Sequence, residues 1–238
     1  MTITWLGHAA FLLETSTHGG PIRVICDPYS TGSGFRAINE EAEVVTLSHD
    51  NPKYHSCLDD VRGVPQVVRG LEIVGREVEV GGLRFGAVEV YEDDQGDGPN
   101  AMVWMEVEQA IGIEGTIESR SARPLRVLHM GDAGCAISPE QLAACGEIDV
   151  LLALAGGSPT IALDDLKTFV TELNPRLVIP MHMGVPQLDF KLQPVEDLIA
   201  LWNPGDYGAS PQSTVEVSVQ SLSNLAPRPF LHVLQPAR

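Results

Sequence analysis

Three polar residues in this chain each follow an apolar run that reads as a buried strand. His49 comes after VVTLS, Asp132 after LRVLHMG and His182 after RLVIPM. Imidazole nitrogens and a carboxylate at the ends of neighbouring strands can converge on one divalent cation and leave a position open for water. A cation held there brings the pKa of water toward neutrality, which suits hydrolysis of an ester, a lactone or a phosphodiester. Any one of the three alone would be read as a strand cap; the set points to a metal.

The stretch VVTLSHDNPKYHS, Val44 to Ser56, is the densest part of this pattern. Its first four residues are apolar or β-branched and too few for a helix before Pro52. Asn51, Lys53, Tyr54 and His55 follow within a few positions, and Pro52 forbids regular helix among them. Strand ends are rigid and the loops beyond them are free to vary, so reactive side chains collect there in layered α/β proteins.

The remaining elements must bring these segments together. Ile3 to Glu14 reads as two strands about a Gly7-His8 turn, and Ile22 to Cys26 as a third ending at Asp27-Pro28. Glu77 to Phe85 alternates about Gly81-Gly82 as a hairpin. Glu92 to Asn100 is an acidic, solvated loop. Ala101 to Val107 is a strand, Gln109 to Pro124 a hairpin extension or loose loop, and Leu125 to Met130 a strand. Ser138 caps a helix through Cys145 with Pro139 at its first position. Asp149 to Ala155 and Arg176 to Pro180 are buried strands, and Leu163 to Leu173 is an amphipathic helix closed by Asn174-Pro175. Pro194 to Trp202 is a last short helix, and Val215 to Val219 and Phe230 to Leu234 are edge strands. Two β-rich regions, each followed by helix-and-strand units, predict two packed sheets flanked by helices, with residues 1–238 forming a single domain.

Composition bounds the function. The 238 residues are 44% hydrophobic, enough for a large core. A net charge of -17 repels phosphate backbones and anionic lipid, so neither nucleic acid nor membrane is the expected partner. The expected partner is a small-molecule substrate. The four cysteines show no C-x-x-C spacing and read as reduced thiols in a cytoplasmic protein. No basic leader precedes the first strand, and no apolar run approaches a membrane span.

WLGHAAFLLET, DPYSTG, LSHDNPKYH, HMGDAG and IPMHMG, in this order, resemble the metallo-β-lactamase superfamily. The nearest branch is the small metal-dependent hydrolases that include L-ascorbate-6-phosphate lactonase, and the likeness runs from Ile3 to about Trp202. The resemblance implies an α/β fold, a four-layer αββα sandwich with metal at the edge between its two sheets. It implies one or two ions, zinc or manganese, held by an H-x-H-x-D-H loop, a later His, a bridging Asp in a G-D turn and a final His.

On that pattern His49 is the first loop His and Asn51 stands in place of the second. The loop Asp-His pair falls on Lys53-Tyr54, or on Tyr54-His55 if one residue is inserted; the second keeps an imidazole and is preferred. Glu92 stands where the later His belongs, Asp132 is the bridging Asp and His182 the final His. His8 matches the Gly-His of the first hairpin, in a supporting position near the site. One half-site is then His49, Asn51, Glu92 and Asp132, and the other is His55, Asp132 and His182. Asn is a weak neutral ligand and Tyr54 replaces a carboxylate, so one ion is expected rather than two. Asp132, His182 and Tyr54 are the expected catalytic residues. Tyr54 occupies the position of an Asp that orients or deprotonates water, a role a phenol of pKa about 10 fills poorly near neutral pH.

Asp27 has two readings, a capped turn or a carboxylate that orients a ligand His. His129 is expected to be a satisfied core residue. The function expected is a metal-dependent hydrolase of a small ester, lactone or phosphoester. The alternative is a degenerate relative with a weak or absent metal site that binds or regulates.

Overall fold

The computed structural model describes residues 1–108, 123–188, 190–225 and 228–238. The fold is α/β, with two large sheets face to face. In one, strands Thr214–Glu216, Thr2–Gly7, Ala10–Thr17, Gly20–Cys26, Val44–Leu47 and Gln66–Arg69 lie side by side in that order. The other runs Tyr207–Ala209, Phe230–Val233, Leu177–Met181, Val150–Leu154, Leu125–His129, Pro99–Val107, Leu83–Tyr91 and Glu77–Val80.

Alternation along the strands explains the layering. Ile3, Trp5, Phe11, Leu13 and Val24 from the first sheet join Phe85, Val103, Met105, Val127 and Leu152 from the second in one core. Leu6, Leu12, Ile25, Val45 and Leu47 form a separate cluster with Tyr29, Phe35, Ile38 and Val61. The two-residue side-chain period of a strand separates these sets onto opposite faces of the first sheet. That outer face is covered by the chain between Asp27 and Arg62, which besides the sheet strand Val44–Leu47 carries only the short 3-10 turn Thr31–Ser33 and the two-stranded pair Glu40–Glu41 and Val61–Arg62.

The second sheet packs against the helices Pro139–Cys145, Leu163–Leu173 and Val195–Ile199, through residues such as Cys145, Leu166, Val170 and Leu198. Ser138 Oγ accepts the Gln141 N–H and the Gln141 side chain accepts the Ser138 N–H, a reciprocal cap that starts the first of these helices.

Parallel pairing sets up the site. Gly20–Cys26 pairs in parallel with Val44–Leu47, so Asp27 and Ser48 emerge side by side. Leu125–His129, Val150–Leu154 and Leu177–Met181 are also parallel, so Asp132 and His182 leave the second sheet at the same rim. Pairing of Leu177–Met181 with Phe230–Val233 stops at Val178, which accommodates Pro180, a residue with no N–H, inside a buried strand.

The C-terminal region departs from expectation. Phe230–Val233 is an inner strand, because Tyr207–Ala209 adds outside it. Val219 opens a helix, Val219–Ser223, started by a reciprocal cap between Ser218 and Ser221. The hairpin extension expected from Gln109 to Pro124 lies outside the described residues except at its last two positions.

Candidate metal centre

Asp27 is the anchor of the rim. It is 1% exposed and sits at φ 41°, in the left-handed region that non-glycine residues seldom occupy. Its backbone N–H donates to Thr46 O at 3.0 Å. Its Oδ1 accepts the Ser48 N–H at 2.8 Å, and its Oδ2 accepts Ser48 Oγ–H at 2.5 Å and His55 Nδ1–H at 2.9 Å. Burial opposes ionisation of this carboxyl, but hydrogen bonds from His55 and Ser48 and the neighbouring imidazoles outweigh it and hold the group below its ordinary range.

The Asp27 bond fixes the tautomer of His55. With Nδ1–H given to Asp27, only Nε2 faces the rim, 3.4 Å from Asp132 Oδ2. A carboxylate behind an imidazole is the arrangement that orients a metal-binding His and raises its basicity. Burial would lower the His55 pKa, yet the carboxylates of Asp132 and Asp27 push it up to about 10. These carboxylates favour the protonated ring, so a cation binding at His55 Nε2 would displace a proton.

Asp132 links the two halves of the rim, its other oxygen lying 3.3 Å from His182 Nε2. Burial opposes its charge, but His182 and His55 hold the carboxyl well below the usual carboxylate range. His49 Nε2 lies 3.4 Å from Glu92 Oε1. The His49 pKa is pushed down to about 4 by burial and then by His55, so its imidazole is neutral. Burial also lowers the pKa of His182 and, still further, that of His8. Neutral imidazoles and an ionised carboxylate are the protonation states that bind metal.

Several of these atoms have no hydrogen-bond partner: both ring nitrogens of His8, Nε2 of His49 and of His55, Nδ1 of His182 and Oδ1 of Asp132. A buried polar atom left unpaired costs about 1–3 kcal/mol, so native proteins rarely leave even one. Here six belong to five neighbouring residues. Ligand atoms of His49, His55 and Asp132 lie within 4.8 Å of one another, and so do those of His8, His55 and His182. A divalent cation satisfies this donor set, and the residues fit it.

Other expected residues take different places. His8 lies inside the ring of donors rather than behind it, its ring 4.1 Å from that of His182 and 5.1 Å from that of His55. Asn51 Oδ1 accepts the Tyr54 N–H at 3.3 Å, so its side chain closes the loop's own turn. The Tyr54 ring stacks on His8 at 5.2 Å, with Lys53 Nζ 4.7 Å from the Tyr54 ring centre. Glu92 is partly open to solvent, and its carboxyl is raised by burial and then by Asp132. His129 is a satisfied core residue: its Nε2 donates to Ala9 O at 2.7 Å and its Nδ1 accepts the Gly131 N–H at 3.0 Å.

Two residues of the rim had no place in the sequence reading. Ser48 bridges Asp27 and His49, its Oγ lying 3.0 Å from His49 Nδ1. Asn100 is fully buried, with Nδ2 3.0 Å from His49 Nδ1 and Oδ1 accepting the Asp132 N–H at 3.3 Å. Ser48 carried a faint signal, a hydroxyl between a buried strand and His49. Asn100 carried only that of one amide opening an apolar run.

Comparison with known proteins gives the family. Residues 2–182 match the family model described as the beta-lactamase superfamily domain. A UPF0173 protein of Pyrococcus furiosus is 28% identical over 201 residues, 77% of this chain and 84% of the relative. A UPF0173 metal-dependent hydrolase of Carboxydothermus hydrogenoformans is 27% identical over 207 residues, 76% of this chain and 84% of the relative. Among solved structures, a candidate Zn-dependent hydrolase of the metallo-beta-lactamase superfamily from Thermotoga maritima superposes with a TM-score of 0.69 at 29% identity, covering 98% of this chain and 97% of that one.

Proposed function

From the premise that this chain belongs to the beta-lactamase superfamily, as the match over residues 2–182 shows, we propose how it works as a metal-dependent hydrolase and on what. The substrate is a small ester, lactone or phosphoester. The observation that carries this reading is Asp132, whose two oxygens face His55 Nε2 and His182 Nε2 at 3.4 and 3.3 Å on a rim of unpaired donors.

His55, Asp132 and His182 would hold the ion, with His49 and its neighbour Glu92 beside Asp132. When bound, a divalent cation supplies a Lewis acid that polarises the scissile group and lowers the pKa of water. The chain's residues do the rest. Asp27 keeps the His55 Nε2 lone pair turned inward. Glu92, whose carboxyl is raised, can accept a proton from an attacking water, and Asp132 a hydrogen bond. Tyr54 and Phe190, whose rings lie 5.4 Å apart beside His8, wall the rim and limit access of bulk water.

One ion is favoured over two. Both donor clusters include His55, whose single inward nitrogen serves one ion at a time. An imidazole-rich set favours zinc over manganese. All four cysteines are free, which supports a cytoplasmic location, and no helix among the described residues is long and apolar enough to cross a membrane.

The test is hydrolysis of p-nitrophenyl esters, a lactone panel and bis-p-nitrophenyl phosphate by zinc-loaded protein and by Asp132→Asn and His182→Ala. At least one substrate class should turn over, and each variant should lose about 100-fold or more, since disturbing even a group behind a metal ligand commonly costs 10–100-fold. Unchanged turnover in both variants would refute the mechanism. Tight zinc binding with no turnover on any panel would favour a binding or regulatory role.

A further inference from the structure

We propose that His8 is itself a metal ligand, supplying from the first hairpin an imidazole that the loop from His49 to His55 lacks. The proposal rests on the reading of this rim as a metal centre. It adds a ligand from a segment that the sequence reading placed only in support.

The loop provides two imidazoles, His49 and His55. Asn51 uses its carbonyl oxygen to close the turn onto the Tyr54 N–H, and Tyr54 lays its ring against His8. A tetrahedral site centred on His55 and His182 therefore needs another donor. His8 is placed to be that donor. It is 1% exposed, and neither ring nitrogen has a hydrogen-bond partner. One face of its imidazole is covered by Tyr54, at 5.2 Å and an interplanar angle of 19°. The rings of His182 and His55 cross its plane at 63° and 73°, with centroids 4.1 and 5.1 Å away. Metals bind imidazole through an in-plane nitrogen lone pair, and a ring nitrogen of His8 lies within 4.8 Å of ligand atoms of both.

The backbone holds the ring there against its own preference. His8 sits at φ 48°, a left-handed conformation disfavoured for a non-glycine residue, and such outliers persist where the surroundings over-determine them. Its carbonyl accepts the indole N–H of Trp5 at 2.9 Å and the backbone N–H of His182 at 3.0 Å. The second bond couples two ligand-bearing turns, one from each sheet. His182 is also left-handed, at φ 50°.

Donor atoms of His8, His55 and His182 all lie within 4.8 Å of one another. Tetrahedral zinc with bonds near 2.05 Å wants its donors about 3.3 Å apart, so modest side-chain rotations close the site. Asp132, already beside His55 and His182, supplies an oxygen; with these three nitrogens and one oxygen from the chain, water would enter as a further ligand. His49 and Glu92 are then left on the open side of Asp132.

The experiment measures zinc affinity by chelator competition and counts imidazoles by X-ray absorption, on zinc-loaded wild type, His8→Asn, His8→Ala and His182→Ala. Asn tolerates the left-handed backbone, so His8→Asn keeps the test valid if His8→Ala fails to fold; circular dichroism verifies folding. The expected result is one zinc per chain and a His8→Asn affinity at least about 100-fold weaker, with one imidazole fewer in any residual complex. If His182→Ala loses zinc while His8→Asn keeps wild-type affinity and imidazole count, the His8 assignment is wrong and the metal centre stands. If wild type binds no zinc, both readings fall.

Discussion

Replacing Asp27 by Asn should disable the metal centre without touching any residue that faces the ion. The Ser48 backbone N–H can only donate, so the new amide must keep its oxygen on that side, where Oδ1 now accepts at 2.8 Å. The NH2 group then takes the place of Oδ2, which faces Ser48 Oγ at 2.5 Å and His55 Nδ1 at 2.9 Å. Ser48 can reverse its hydroxyl and accept. His55 can accept only through a bare Nδ1, which puts its proton on Nε2 and removes the lone pair aimed at the rim. The same tautomer logic explains why an amide in place of the carboxylate disables a catalytic His elsewhere. Loss of a carboxylate behind a metal-binding His commonly lowers metal affinity 10–100-fold, and forcing the wrong tautomer puts the expected effect at or beyond the upper end. Because each hydrogen bond has a neutral replacement, folding stability should fall by only about 1–3 kcal/mol. Chelator competition and urea denaturation measure the two quantities separately. A variant with wild-type zinc affinity would refute the reasoning, as would one that loses stability and zinc in equal proportion.

Three further expectations follow from the same geometry. Gly131→Ala would place a methyl 2.4 Å from Asn100 Oδ1 and 2.8 Å from Ala101 O at φ +63°, so it should lower stability by about 1–3 kcal/mol in urea melts and weaken zinc binding by shifting Asp132. Because His55 is pushed up to about 10, zinc must displace its proton at neutral pH; affinity should rise about tenfold per pH unit from pH 7 to pH 9, with about one proton released per ion in calorimetry across buffers of different ionisation enthalpy, and a flat profile would contradict the assignment. Burial pushes the Cys26 and Cys145 thiols up to about 12, so at pH 8 a thiol reagent followed by mass spectrometry should label Cys135 first and these two only after unfolding.

What the sequence made legible was whatever depends on local pattern. His49, Asp132 and His182 could be found because each follows an apolar run, and parallel pairing does carry those runs to one rim. The helix Pro139–Cys145 could be found because its cap lies within four residues of chain. Asn100 and the position of His8 could not, since both are products of packing between the sheets. His8 is brought to His182 by a backbone hydrogen bond across 174 positions, and a Gly-His turn looks the same with or without that partner. The inner position of Phe230–Val233 was hidden for a similar reason, because Tyr207–Ala209 is too short to declare itself as the strand outside it.

The claim beneath all of this is that one divalent cation lies between His55, Asp132 and His182. Anomalous diffraction from crystals of zinc-loaded protein, collected on both sides of the zinc absorption edge, tests it most directly. One dominant peak is expected about 2.0–2.2 Å from His55 Nε2 and from an Asp132 carboxylate oxygen. No peak at this rim, or zinc found only on the acidic loop from Glu92 to Asp97, would contradict it.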